Sequence, residues 1–274
     1  MDIGYTIAVV AAALWGAGAG ALLPRAAYRL SVEPEEAWRD SCPSGHPIAG
    51  VAGGWLGAAR CADCAVSVAA TPVPVTGAPR GDGSGAEDLR PVGEYRGSAL
   101  VPAVTAAVCG MLAATAGVRP ETAVWVLLAP VAVLLALVDR RVHRLPDQLT
   151  LPLAAAAALL LGGAALLPGA AGSFTTALLG GLALGGAYFV LFLINPNGMG
   201  FGDVKLAVPL GTALGWYGWE MLFAGAFAGF LLGAVYGFGL VLLRRASRKS
   251  AIPFGPFMIA GTLIGLLLGA VPAG

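Results

Sequence analysis

The sequence predicts an all-α fold: a polytopic membrane helix bundle of about eight transmembrane helices, with a small cytoplasmic insertion after the first. Three observations lead there. Of 274 residues, 58% are hydrophobic and only 11% charged, where a soluble domain carries about 25% charged residues. Apolar stretches long enough to cross a hydrocarbon core recur along the chain. The basic residues fall in alternate loops between them. The net charge of +1 provides no global field to attract nucleic acid, and no nucleic-acid motif is present, so no nucleic-acid partner is expected.

Residues 3–23 (IGYTIAVVAAALWGAGAGALL) supply the first helix, so that 1–23 forms one unit. Asp2 stands where a cleaved signal peptide carries a basic region, and further spans follow, which favours a retained helix. Residues 24–97 form the only large polar segment. Its first part holds Arg25, Arg29, the turn Glu33-Pro34-Glu35-Glu36 and three of the four cysteines. Residues 71–97 are rich in Pro and Gly and poor in large apolar side chains, the composition of a flexible linker. Apolar spans follow at about 98–118, 120–138, 149–168, 173–194, 204–218, 220–243 and 252–271, making 98–274 a seven-helix core. The span 204–218 is short, and Pro209 is expected to kink it. Gly225, Gly229, Gly233 and Gly237, then Gly261, Gly265 and Gly269, form small-xxx-small ladders suited to close helix packing.

Alternation of eight spans gathers Arg25, Arg29, Arg140, Arg141, Arg144, Lys205, Arg244, Arg245, Arg248 and Lys249 on one face. The opposite loops carry only Arg119. Basic loops stay in the cytoplasm, so both termini are expected outside.

From residue 98 onward the acids are Glu121, Asp139, Asp147, Asp203 and Glu220. Asp139 ends one apolar run and Asp203 begins another, both on the basic face. Two carboxylates at close range do not both ionise readily and so share a proton. One can then take a proton from water while the other polarises a scissile carbonyl, without metal, cofactor or covalent nucleophile. The only histidines, His46 and His143, suggest no Ser/His or Cys/His arrangement. Two plainer readings stand beside this one: Asp139 pairing with Arg140 or Arg141 at a helix end, and Asp147 favouring the start of its own helix through the macrodipole. A proton- or ion-coupled transporter using Asp139 and Asp203 as a relay is the rival function. Before Asp203 lie Gly198, Gly200 and Gly202, whose missing Cβ permits unusual backbone or close approach. Lys205 reads either as a positive-inside anchor or as a site charge.

Cys61-Ala62-Asp63-Cys64 is a C-x-x-C knuckle, with Cys42-Pro43-Ser44-Gly45-His46 nineteen residues before it. Cys42, His46, Cys61 and Cys64 would supply the four N/S ligands of a structural zinc; loose thiols are the alternative. A structural disulfide is not expected on a cytosolic face. Cys109 lies in mid-span, as a packing residue.

Three stretches resemble the bacterial prepilin peptidases, or type IV leader peptidases, which are aspartic proteases of the GxGD membrane class. Asp139-Arg140-Arg141-Val142-His143-Arg144-Leu145-Pro146-Asp147-Gln148-Leu149-Thr150 is similar to the first active-site motif. Gly198-Met199-Gly200-Phe201-Gly202-Asp203-Val204-Lys205-Leu206 is similar to the GxGD motif, and Ile252-Pro253-Phe254-Gly255-Pro256-Phe257 to a late Pro-Phe-Gly-Pro segment. The resemblance covers about 98–274. It implies that Asp139 and Asp203 are the catalytic pair, with Gly198, Gly200, Gly202, Lys205, Pro146 and Asp147 in the loops around them. It also implies prepilin or pseudopilin substrates in the lipid bilayer of the plasma membrane, cut on the cytoplasmic side after a short basic leader. In bifunctional members the cysteine segment is linked to N-methylation from S-adenosylmethionine. Here Gly45 stands where the second cysteine of the first pair belongs, and the Pro/Gly tract at 71–97 is a further departure.

Overall fold

In a computed structural model, residues 3–33, 35–64, 100–196, 198–243 and 253–271 are described. The linker expected at 71–97 and the basic run Arg244, Arg245, Arg248 and Lys249 lie outside the described residues.

Eight long helices carry the fold: α1 (Ile3–Leu30), α2 (Leu100–Ala116), α3 (Pro120–Val142), α4 (Asp147–Ala165), α5 (Phe174–Ile194), α6 (Phe201–Gly215), α7 (Trp219–Leu242) and α8 (Gly255–Ala270). Local chemistry sets several boundaries. Pro120 opens α3, where its missing N–H would be unpaired anyway. His143 closes α3 in the left-handed conformation, its N–H donating to the Asp139 carbonyl at 2.8 Å. The Ser173 hydroxyl caps α5 by accepting from the Thr176 N–H.

Helices α1, α3, α4, α5 and α7 are long and apolar enough to cross a membrane, and α2 and α8 are shorter apolar helices. Exposed Phe223, Phe227 and Leu231 form a stripe along α7, and Ile3, Ile7 and Leu14 do the same on α1. Such patches mark lipid-facing surface. The chain is a multi-pass, all-α membrane protein.

Helix α6 is the exception that explains its own length. Its 15 residues rise only about 22 Å, and eleven of them, from Asp203 to Gly215, are buried. It packs against α5, α4, α8 and α7 and forms the centre of the bundle. The helix runs on through Pro209, where neighbouring helices can satisfy the backbone that a proline frees.

Two glycine seams bring helices into backbone contact. The expected ladder joins α7 to α8: a Cβ on Gly261 would strike the Gly225 carbonyl and the Gly229 backbone. A second seam joins α5 to α6, where a Cβ on Gly180 would sit 2.6 Å from the Gly211 carbonyl.

The first helix runs seven residues past its expected end at 23. Arg25 and Arg29 therefore lie inside α1 rather than after it. Their guanidinium groups hold the cysteine segment: Arg25 donates to the Ala49 carbonyl at 3.0 Å, and Arg29 to the Gly53 carbonyl at 2.8 Å. Arg29 also stacks on Trp55, 4.1 Å from its ring centre.

Backbone contact at the α7–α8 seam makes Gly261→Val a sharp test of the packing. Overpacking of this kind costs about 1–3 kcal/mol. The variant should therefore melt roughly 3–10 °C below wild type in a thermal-shift assay in detergent. Gly239→Ala, whose Cβ meets nothing within 4 Å, should melt with the wild type.

Candidate active site

Asp139 comes from the last turn of α3 and Asp203 from the first turn of α6. Asp139 is 4% exposed and Asp203 8%. Both line one cavity of about 870 Å³, and Asp203 lies within electrostatic reach of Asp139. The loop between α3 and α4 and the turn between α5 and α6 form its rim.

The chain satisfies Asp139 in a specific way. Its Oδ2 accepts the Gly255 N–H at 2.9 Å. Gly255 is the first residue of α8, so Asp139 sits where a helix start presents its unpaired N–H groups and positive dipole end. A Cβ at Gly255 would lie 2.8 Å from the same oxygen. The segment Pro253-Phe254-Gly255-Pro256 thus starts α8 and leaves room for the carboxylate.

Each glycine of the 198–202 run behaves differently, and none has positive φ. Gly202 is needed for close approach: a Cβ there would meet the Leu145 Cβ at 3.0 Å, so its absence lets α6 press on the α3–α4 loop. Gly200 is the extended N-cap of α6 and faces the Asp203 carboxylate. Gly198 packs on the Asn195 side chain.

Lys205 resolves its own ambiguity by pairing with Asp147, at 2.6 and 2.7 Å to the two carboxylate oxygens. The pair ties the start of α4 to α6 at the cavity edge. Asp147 is 52% exposed, so solvent screens the bond and its stabilisation is small. Pro146 precedes Asp147 as the extended N-cap of α4.

Tyr188 and Phe230 were not singled out in the sequence, and Phe254 and Arg144 appeared there only within motifs or the basic face. Tyr188 of α5, 3% exposed, lies within electrostatic reach of Asp203. Its ring packs with Phe230 and Phe254, at 5.5 and 6.3 Å between centres, and those two rings line the cavity. Arg144 on the rim donates to the Glu33 carbonyl at 3.2 Å, joining the α3–α4 loop to the cysteine segment. A phenol deep in an apolar span was the available signal for Tyr188; nothing local marks Phe230.

The second cluster is Cys42, His46, Cys61 and Cys64, whose ligand atoms all lie within 4.8 Å of one another. The Cys42 Sγ is 3.8 Å from the Cys64 Sγ. The His46 Nδ1 lies 3.6, 3.7 and 3.3 Å from the Cys42, Cys61 and Cys64 sulfurs. A tetrahedral ion with Zn–S bonds of ~2.3 Å and a Zn–N bond of ~2.0 Å sets sulfurs ~3.8 Å apart and nitrogen ~3.5 Å from sulfur. The donor set fits. Gly45 makes it possible: its φ of +85° closes a tight turn in which the Gly45 N–H donates to the Cys42 carbonyl. The turn delivers His46 to the place left by the absent cysteine. Burial raises the Cys42 thiol, but the backbone N–H groups of His46 and Ser44, with the His46 and Cys64 side chains, outweigh it and hold the thiol at about 6. The thiolate is the ligating form. Cys109 is fully buried between α2 and α3, as packing.

Residues 126–238, which include both aspartates, match the type IV leader peptidase family. Curated relatives agree. The chain is 38% identical over 171 residues to a prepilin leader peptidase/N-methyltransferase of Aeromonas salmonicida (strain A449), covering 62% of this chain and 57% of that one. It is 38% identical over 178 residues to the Aeromonas hydrophila protein of the same description, covering 62% and 58%. To that of Pseudomonas aeruginosa PAO1 it is 34% identical over 178 residues, with the same coverage. The chain thus spans less than three fifths of the length of these leader peptidase relatives. No solved structure matches it.

Proposed function

We propose that the chain is a membrane aspartic endopeptidase that removes the basic leader of type IV prepilins or pseudopilins. The observation that carries this is a pair of buried carboxylates, Asp139 and Asp203, on different helices facing one cavity. The relatives' printed names favour a peptidase over a proton- or ion-coupled transporter.

In the proposed reaction, water is held between the two carboxyl groups. The ionised partner takes its proton while the protonated one donates to the scissile carbonyl oxygen. The proton passes on to the leaving amine as the tetrahedral intermediate collapses. The Gly255 N–H orients Asp139 throughout. No resident metal is needed for this step.

Arg25, Arg29, Arg140, Arg141, Arg144 and Lys205 gather at the Asp139 end of the bundle, which supports an active site facing the cytoplasm of the plasma membrane with both termini outside. A substrate's apolar helix then stays in the bilayer while its leader reaches the cavity from the cytoplasmic side. N-methylation of the new terminus from S-adenosylmethionine is a second proposed activity, taken from the relatives' names. Mass spectrometry of the mature N-terminus tests it: a mass gain of one methyl supports the activity, and an unmodified terminus leaves a peptidase alone.

Co-expression of a prepilin with wild type, Asp139→Asn or Asp203→Asn tests the peptidase directly. Each neutral variant should slow leader removal by about 10²–10⁴-fold, read by gel shift at equal membrane abundance. Wild-type processing by either variant would refute the dyad.

For the cysteine cluster we propose a structural zinc held by Cys42, His46, Cys61 and Cys64. The ion would tie the turn at 42–46 to the knuckle at 61–64. Elemental analysis of purified protein should give one zinc per chain, falling to a small fraction in Cys61→Ser and in His46→Ala. Equal metal content in wild type and variants would contradict the assignment.

A further inference from the structure

Glu121 is the one acid of α3 that the proposed chemistry leaves without a task. It precedes Asp139 by eighteen residues, about 27 Å along the axis at ~1.5 Å per residue, so it lies at the end of the bundle opposite the dyad. Alternation of the spans puts it on the outer face, at the loop before α3. In the structure it is completely buried, and a buried carboxyl demands partners.

Only half of that demand is met. The Glu121 Oε1 accepts the Ala171 N–H at 3.3 Å, from the loop between α4 and α5. Its Oε2 is buried and has no hydrogen-bond partner among the described residues. The indole Nε1 of Trp216, directly after α6, is in the same condition, on a residue 1% exposed. One is an acceptor and the other a donor. The Glu121 carboxylate and the Trp216 indole lie against adjacent residues, Ala171 and Gly172, since a Cβ on Gly172 would run into the Trp216 Nε1. Ser173 continues the contact, its N–H donating to the Trp216 carbonyl at 3.0 Å.

Further polar ties surround this pair. The Trp125 Nε1 of α3 donates to the Tyr217 hydroxyl at 3.2 Å, and Tyr217 lies within electrostatic reach of Glu121 and Arg119. Arg119 donates to the Ala270 carbonyl at the end of α8. The far ends of α3, α6 and α8 therefore meet in one polar knot. Between α3 and α6 in mid-bundle lies an apolar space of about 480 Å³, with Ala132 and Ala136 on one side and Pro209, Leu210 and Ala213 on the other. Side chains do not interdigitate across that space, so the register of the two helices is held by α4 and α8, which pack on both, and by the contacts at their ends.

We propose that a buried water bridges the Glu121 Oε2 to the Trp216 Nε1, and that Glu121 is through it a positioning residue for the dyad. Buried waters settle where otherwise unpaired polar groups face one another beyond direct reach. This one would join α3, which carries Asp139, to α6, which carries Asp203. Slippage at the far end would move one carboxylate relative to the other, and displacement of about 1 Å is enough to slow a positioned reaction by up to ~10²-fold. The proposal rests on the reading of Asp139 and Asp203 as the catalytic pair.

The test uses the full chain purified in nanodiscs and a leader-bearing prepilin substrate. Glu121→Leu and Trp216→Phe should each lower kcat about tenfold with KM within about twofold, at equal amounts of folded protein. Glu121→Gln, which can still accept from Ala171 and bond the water, should remain within about threefold of wild type. Because both side chains act through one water, the Glu121→Leu/Trp216→Phe double variant should be no slower than the slower single variant. Density for a water between the two atoms in a high-resolution structure is the readout independent of catalysis. Unchanged kcat in both single variants, additive losses in the double variant, or a map with no water there would each overturn the bridge. If Glu121→Leu does not fold, Trp216→Phe, which removes an N–H and little volume, carries the kinetic test alone. Should Asp139→Asn and Asp203→Asn cleave normally, it is the peptidase reading that falls. Inactive dyad variants beside a fully active Trp216→Phe would overturn the bridge alone.

Discussion

A carboxylate buried among membrane helices is tolerable only if hydrogen-bond donors meet it, and the Gly255 N–H meets Asp139. Much of the arrangement follows from that contact. It requires α8 to begin at the depth of Asp139, with a glycine first because a Cβ would collide with the carboxylate. With that start fixed, the α7–α8 seam at Gly225, Gly229 and Gly261 carries the register onward to α7. Helix α8 also packs on α6, the helix that carries Asp203. One hydrogen bond thus belongs to a chain of contacts running from one acid to the other.

The cysteine segment is joined to this core by cations at its edge. Arg25 and Arg29 hold its backbone from α1, and Arg144 reaches Glu33 from the loop that follows Asp139. These residues are the positive-inside signal of the sequence, and in the structure they also serve as donors to carbonyl groups. A single set of side chains can do both, because a guanidinium has five N–H groups and keeps its charge.

Apolar length was enough to read most helices, since the bilayer imposes a minimum span. It failed at α1, where Arg25 and Arg29 looked like an end; their partners lie in a segment that no local pattern links to the helix. It also gave α6 a surprising brevity, which burial at the centre explains. Asp139 and Asp203 were legible because an acid at the mouth of an apolar run is conspicuous. Gly255 was visible only as part of a motif, without a role, because its partner stands 116 residues earlier. The burial of Glu121 was not legible for a related reason: the loop that covers it, around Ala171, is apolar and unremarkable in sequence. At Gly45 the sequence suggested a defect in a ligand pair, whereas its positive φ is what turns His46 toward the three thiols.

The proposed chemistry requires Asp139 and Asp203 to act together on one tetrahedral species. A leader-junction peptide carrying a statine-type hydroxyl at the scissile position mimics that species, and such analogues bind far more tightly than substrate. Its affinity should be measured by calorimetry for wild type, Asp139→Asn and Asp203→Asn in the same nanodiscs. Tight binding that competes with substrate in the wild type, and weakens sharply in both variants, is the expected result. Equal affinity in all three proteins would contradict a shared carboxylate site.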